Sequence, residues 1–119
     1  MALVLYGIPN CDTVKKARKW LEQQQIDYQF HDFRQQGLTP ETVQQWCEQL
    51  GWEALLNKRS TSWRALDEVD KTDLDANKAM ALMLAQPTLI KRPVLNINGQ
   101  YQVGFKDADY QQALQNLNL

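Results

Sequence analysis

Two periodicities alternate along the chain, and their order predicts its elements. Ala2-Leu3-Val4-Leu5-Tyr6-Gly7 is a short apolar run, partly β-branched and bounded by Gly7 and Pro9, which predicts a buried strand. From Asp12 to Gln25 the spacing becomes helical, with Val14, Ala17, Leu21 and Gln25 in step and neither Gly nor Pro to interrupt it. Ile26 to Phe33 alternates apolar and polar residues, the signature of a second strand. Gln35–Leu38 reads as a turn, and Thr39-Pro40-Glu41 as a helix start with Thr39 as cap and Pro40 in the first position. Gly51 stops that helix, a shorter one is predicted over Trp52–Asn57, and the polar, basic stretch 57–64 reads as a loop. Thr72-Asp73 is expected to open a further helix running to Leu84, with Pro87 beyond it. Pro93–Asn98 and Tyr101–Phe105, joined at Asn98-Gly99, form the clearest hairpin signal, and Asp107 begins a closing helix with Tyr110, Ala113, Leu114 and Leu117 inward.

A strand–helix–strand unit with a right-handed crossover, followed by a hairpin and a helix, gives a four-stranded mixed sheet flanked by helices. The predicted fold is therefore α/β, of thioredoxin-like architecture, with a helical insertion over about residues 35–86 between the βαβ unit and the hairpin. At 119 residues the chain is long enough for a single core but short of two, so one domain is expected.

Composition narrows the function classes. Hydrophobic content of 44% and charge of 23% suit a globular chain, and a formal charge of -1 supplies no electrostatic footprint for nucleic acid or an anionic membrane. No apolar stretch is long enough to cross a bilayer, and the first residues lack the basic region of a secretory signal, so the cytoplasm is expected; the chain is also expected to be a monomer. Two cysteines make no disulfide framework, and a single histidine, His31, in an alternating strand makes a metal site or a general base a poor reading.

Cys11 carries the candidate chemistry. It stands in a strand-to-helix turn, beside Asn10, where the N–H groups and positive end of a helix favour an anion. Lys15, one turn on, adds positive charge, and thiols in such settings become nucleophilic thiolates. A free cysteine is most often a small core residue, and Cys47, in mid-helix between Trp46 and Glu48, fits that description. The fourth position of Cys11-Asp12-Thr13-Val14 holds no second thiol, so unless Cys47 reaches it a mixed disulfide on Cys11 needs a resolving thiol from outside, for which glutathione is the obvious candidate. Arg92-Pro93, at the hairpin entry, would bring a guanidinium fork beside that turn in a thioredoxin-like layout, while Arg59 and Lys106 are plausible partners for the glutathione carboxylates.

Tyr6-Gly7-Ile8-Pro9-Asn10-Cys11-Asp12-Thr13, the basic stretch Leu55–Arg64 and Ile90-Lys91-Arg92-Pro93 together resemble the arsenate reductase (ArsC)-like family, in particular its YffB-type branch, which is related to Spx-type regulators. The resemblance runs over nearly the whole chain. It implies a thioredoxin-like fold, a nucleophilic Cys11 and an oxyanion-binding Arg92 before Pro93. It also places Asn57 where arsenate reductases carry a first arginine, with Arg59 two positions on, and Gly104 where they carry a third, with Lys106 nearby. The implied activity is a glutathione-dependent thiol reductase acting on an oxidised thiol or an oxyanion, with glutathione as co-substrate and no resident cofactor. The alternatives are a glutaredoxin-coupled arsenate reductase and a Spx-like protein that binds RNA polymerase.

Overall fold

The computed structural model describes residues 3–115, in two compact units. The first is built from the segments up to Arg34 and from Arg92 onward; the second is Gln35–Lys91.

In the first unit, β1 (Leu3–Gly7) is followed by α1 (Asp12–Gln23), β2 (Gln29–Asp32), β3 (Val94–Ile97), β4 (Gln100–Val103) and α8 (Asp107–Gln115). The sheet order is β2-β1-β3-β4, with β2 parallel to β1 and the other pairs antiparallel. This is the mixed four-stranded, thioredoxin-like sheet that the sequence predicts. Leu3 and Leu5 of β1 and Leu95 and Ile97 of β3 point to one face, where they pack with Ala17 and Leu21 of α1 and Tyr110 and Leu114 of α8. The period-2 burial of β1 and the three- and four-residue spacing of α1 are thus two views of one core. Trp20, Phe105 and Tyr110 close it with near edge-on contacts: 5.9 Å between Trp20 and Tyr110 and 4.7 Å between Phe105 and Tyr110.

Several boundaries differ from expectation, each for a local reason. α1 stops at Gln23 rather than Gln25 because Gln25 turns left-handed (φ 56°), its N–H bonding to Glu22 O and that of Ile26 to Leu21 O. That pairing is a Schellman cap made without glycine, and it leaves apolar Ile26 and Leu21 at its two ends. β2 ends at Asp32, whose buried carboxylate accepts the Arg34 N–H at 2.8 Å and starts the single helical turn α2 (Phe33–Gln36). The hairpin turns on Asn98 and Gly99, both at positive φ, and the Asn96 side chain accepts the Gly99 N–H at 2.8 Å. Ala2 and Leu117 lie outside the described residues.

The second unit holds α3 (Pro40–Leu50), α4 (Trp52–Leu55), α5 (Thr61–Arg64), α6 (Glu68–Lys71), α7 (Ala76–Ala85) and a 3-10 turn at Pro87–Leu89. Thr39 caps α3 through the Thr42 N–H, as its sequence predicts. α3, α4 and α7 pack together, with Val43, Trp46, Leu55, Ala79 and Met83 fully buried. Residues 57–64 are only partly loop, since Ser60 caps the short helix α5 by accepting the Trp63 N–H. The helix expected from Thr72-Asp73 begins at Ala76, because Asp75 is the residue that caps it, accepting the Lys78 N–H at 2.8 Å. No helix among the described residues is long and apolar enough to cross a membrane.

Candidate active site

The register of the sheet determines what meets at its Cys11 end. Tyr6 pairs with Val94 and Gly7 with Asp32, while Val94 also pairs with Val103. The end of β1, the end of β2, the start of β3 and the end of β4 therefore share one edge of the first unit. From that edge emerge the Ile8–Cys11 turn, the Arg92-Pro93 segment and the Gly104–Lys106 turn. The last two are tied together, as the Gly104 N–H donates to Pro93 O at 2.8 Å. The Arg92–Pro93 peptide is cis.

Cys11 is the N-cap residue of α1, in extended conformation (φ -98°, ψ 127°). Its backbone closes the turn in both directions: its N–H reaches Ile8 O at 3.4 Å, and its carbonyl accepts the Lys15 N–H at 2.9 Å. The side chain makes no capping hydrogen bond. A serine or aspartate in this position would spend its oxygen on the first-turn N–H groups; the thiol leaves that positive end of the helix beside a half-exposed sulfur. Asp12, in the first turn, opposes this with a carboxylate, while Lys15 reinforces it.

The close fit of α1 on β1 makes the turn this tight. A Cβ on Gly7 would stand 2.8 Å from Val14 Cγ2 and 3.3 Å from Cγ1. Gly7 is thus a positioning residue that sequence patterning reads only as a strand boundary. Nothing in the sequence announces the approach, because it depends on where Val14 lands. Tyr110 is the second such residue: its buried hydroxyl donates to Gly104 O at 3.3 Å, from the core side of the turn that holds Pro93.

Of the predicted site residues, Asn10, Cys11, Lys15, Arg92, Pro93 and Lys106 gather at this edge. Asn10, Lys15 and Lys106 are exposed, Pro93 is buried, and Arg92 is half-buried with its Nε shielded from solvent. Asn57 and Arg59 belong to the second unit. There the Asn57 side-chain oxygen accepts the Arg59 N–H at 3.0 Å and its carbonyl accepts the Ser60 hydroxyl at 2.9 Å, so much of its bonding capacity organises the loop. Arg59 itself is exposed.

Cys47 has a different setting. Half-buried on α3, its thiol is pushed up from its ordinary pKa, first by burial and then by the adjacent Glu48 carboxylate. His31 packs against Tyr6 with ring centroids 4.7 Å apart and the rings tilted by 41°. A cleft of ≈ 670 Å³ opens at the opposite end of the sheet, by Leu3, Trp20, Ile26, Asp27 and Leu114, and holds none of the predicted site residues. Among the described residues its lining offers no thiol and no cation, and the Cys11 edge is the candidate for chemistry.

Comparison with known proteins gives concordant matches. The ArsC family model matches residues 6–113. A solved structure described as a YFFB protein shares 50% identity and superposes with a TM-score of 0.93, covering 95% of this chain and 99% of its own. A solution structure of an arsenate reductase (ArsC) related protein from Brucella melitensis shares 49% identity, with a TM-score of 0.77 over 94% of this chain and 93% of that one. A protein named global transcriptional regulator Spx, from Lactiplantibacillus plantarum, is 29% identical over 94% of this chain and 86% of its own length.

Proposed function

The chain belongs to the ArsC family, and from that premise we propose that it is a thiol reductase in which Cys11 is the nucleophile and glutathione the reductant. The likeness to an arsenate reductase related protein supports a reductase of this kind. The observation that carries the reading is the Cys11 side chain, which stands at the N-cap of α1 and gives none of its capacity to capping.

The cycle needs three steps. The Cys11 thiolate attacks one sulfur of an oxidised substrate RS–SR′, forming Cys11–S–SR and releasing R′S⁻. A glutathione thiolate attacks the R sulfur, returning the Cys11 thiolate and giving a glutathione–SR disulfide. A second glutathione then releases RSH and leaves oxidised glutathione. The helix start and Arg92 favour the anionic sulfur that enters and leaves Cys11. Val14 supplies no internal resolving thiol, which is why the resolving thiol comes from solution.

Incubation with oxidised glutathione tests this. One glutathione adduct by intact mass is expected, lost in Cys11→Ser, retained in Cys47→Ser and formed more slowly in Arg92→Ala. An adduct confined to Cys47 rejects the site. Arsenate, supplied with glutathione and glutaredoxin, should turn over weakly. Asn57 and Gly104 stand at two of the three positions where arsenate reductases carry arginine, and each lost charged hydrogen bond forfeits about 1.5–3 kcal/mol. A second reading, a transcriptional regulator, is favoured by the 29% match to the Spx relative; retention of purified RNA polymerase on the immobilised protein would support it.

A further inference from the structure

The positive charge on α1 is gathered in its middle turns and not at the C-terminal end, where helix electrostatics would favour it. Asp12–Lys19 holds Lys15, Lys16, Arg18 and Lys19 against one acid, in a chain whose formal charge is -1. The last turn of α1, where cations stabilise a helix, has none. Lys15 and Lys19 are also four residues apart, a like-charge spacing that costs stability.

These cations are not consumed internally. Arg18 has a partner set: its Nε donates to the Tyr28 hydroxyl at 3.0 Å and its guanidinium lies 4.1 Å from the Phe30 ring centroid. Glu22, the acid that could have answered it, accepts from the same Tyr28 hydroxyl at 3.3 Å. Lys15, Lys16 and Lys19 are instead exposed and make no ion pair with a described residue. They lie on the helix stripe opposite buried Val14, Ala17 and Leu21, so they form one outward face. Along the axis that face runs from Lys15, about 6 Å from Cys11, to Lys19 at about 12 Å. Exposed Lys106 stands at the same edge of the sheet.

We propose that this face selects the substrate: an oxidised cysteine in an acidic peptide segment, docked along α1 with its carboxylates on Lys15, Lys16 and Lys19 and its sulfur at Cys11. The inference rests on the thiol chemistry proposed above and specifies whose sulfur is reduced. An extended chain advances about 3.3 Å per residue. Acids two to four positions from the cysteine therefore fall opposite the lysines when the disulfide reaches Cys11. The field is local, at near-contact distances comparable with the ~8–10 Å screening length of ordinary buffers, and it acts on the encounter rate.

The test uses three synthetic peptides, each with one cysteine as a 2-pyridyl disulfide, flanked by four Glu, four Gln or four Lys. Cys11 attacks the peptide sulfur, the Cys11–peptide disulfide forms and pyridine-2-thione leaves, which is read by absorbance in a Cys47→Ser background. The acidic peptide is expected to react about tenfold faster than the basic one at low salt, and the ratio should shrink at 0.5 M salt, where the screening length falls to about 4 Å. Lys16→Glu/Lys19→Glu, both at exposed positions, should bring the two rates together or reverse them while leaving the Gln peptide unchanged. Equal rates for the three peptides, or a charge ratio untouched by the double variant, overturn the substrate assignment alone. No adduct with any peptide overturns the thiol chemistry along with it.

Discussion

Replacing Gly7 with alanine tests how the Cys11 turn is held in place. The new Cβ would sit 2.8 Å from Val14 Cγ2, against the 3.5–4.0 Å at which carbon atoms rest. Gly7 does not occupy the left-handed region, so the backbone itself would accept alanine and the effect isolates the contact. Val14 is fully buried and β-branched, and has little rotamer freedom with which to yield. The first turn of α1 must therefore lift from β1. Overpacking of this kind costs about 1–3 kcal/mol, a large share of the roughly 5–15 kcal/mol that holds a domain folded. Urea denaturation should show a lower midpoint at unchanged slope, and the rate of Cys11 alkylation should change with it, because the same turn carries the thiol. Val14→Ala alone removes two methyl groups and should cost about 2 kcal/mol in lost burial and cavity. In the double variant the clash is gone, so the combined loss should fall short of the sum of the two singles by about 1 kcal/mol or more. Additivity within about 0.5 kcal/mol would refute the contact as the reason for glycine here.

Two further outcomes are expected. Burial raises the Tyr110 pKa far above its usual value, so the unfolded chain releases that proton first and stability must fall as pH rises above ~10, by about 1.4 kcal/mol per pH unit. Tyr110→Phe should reduce that slope, leaving the smaller part due to Tyr101, whose pKa burial also raises, as read from denaturation midpoints across pH 9–11; an unchanged slope would mean that the Tyr110 hydroxyl ionises in place. Iodoacetamide at pH 7.5 should label Cys11 well before Cys47, whose thiol is held protonated by burial and by Glu48; peptide mapping that finds equal labelling would contradict the difference in their settings.

The sequence discloses the parts that depend on local chemistry and obscures those that depend on encounter. Asn98-Gly99 specifies the hairpin by itself, and Thr39-Pro40 the start of α3, because a turn or a cap needs only its neighbours. Cys11 at the start of α1 is legible for the same reason. The start of α7 is ambiguous in the sequence because Thr72, Asp73 and Asp75 are all competent caps, and in the structure it is Asp75 that accepts the Lys78 N–H. The end of α1 is hidden in the sequence because Gln25, a good helix former, adopts the left-handed cap usually given to glycine. Gly7 against Val14 and Tyr110 beneath Gly104 were invisible, since each joins residues on different elements.

Strand β3 lies beside β1 although most of the chain separates them, Tyr6 pairing with Val94. During synthesis the Cys11 helix can therefore form early, from local contacts, while Arg92 and Lys106 have not yet been made. Closing so long a loop is the slow, entropically costly event of such a topology. Until it happens the nascent protein carries its thiol without the hairpin segments that later share its edge of the sheet. The newborn chain is in this respect a different reagent from the finished one, with its nucleophile present before Arg92 and Lys106.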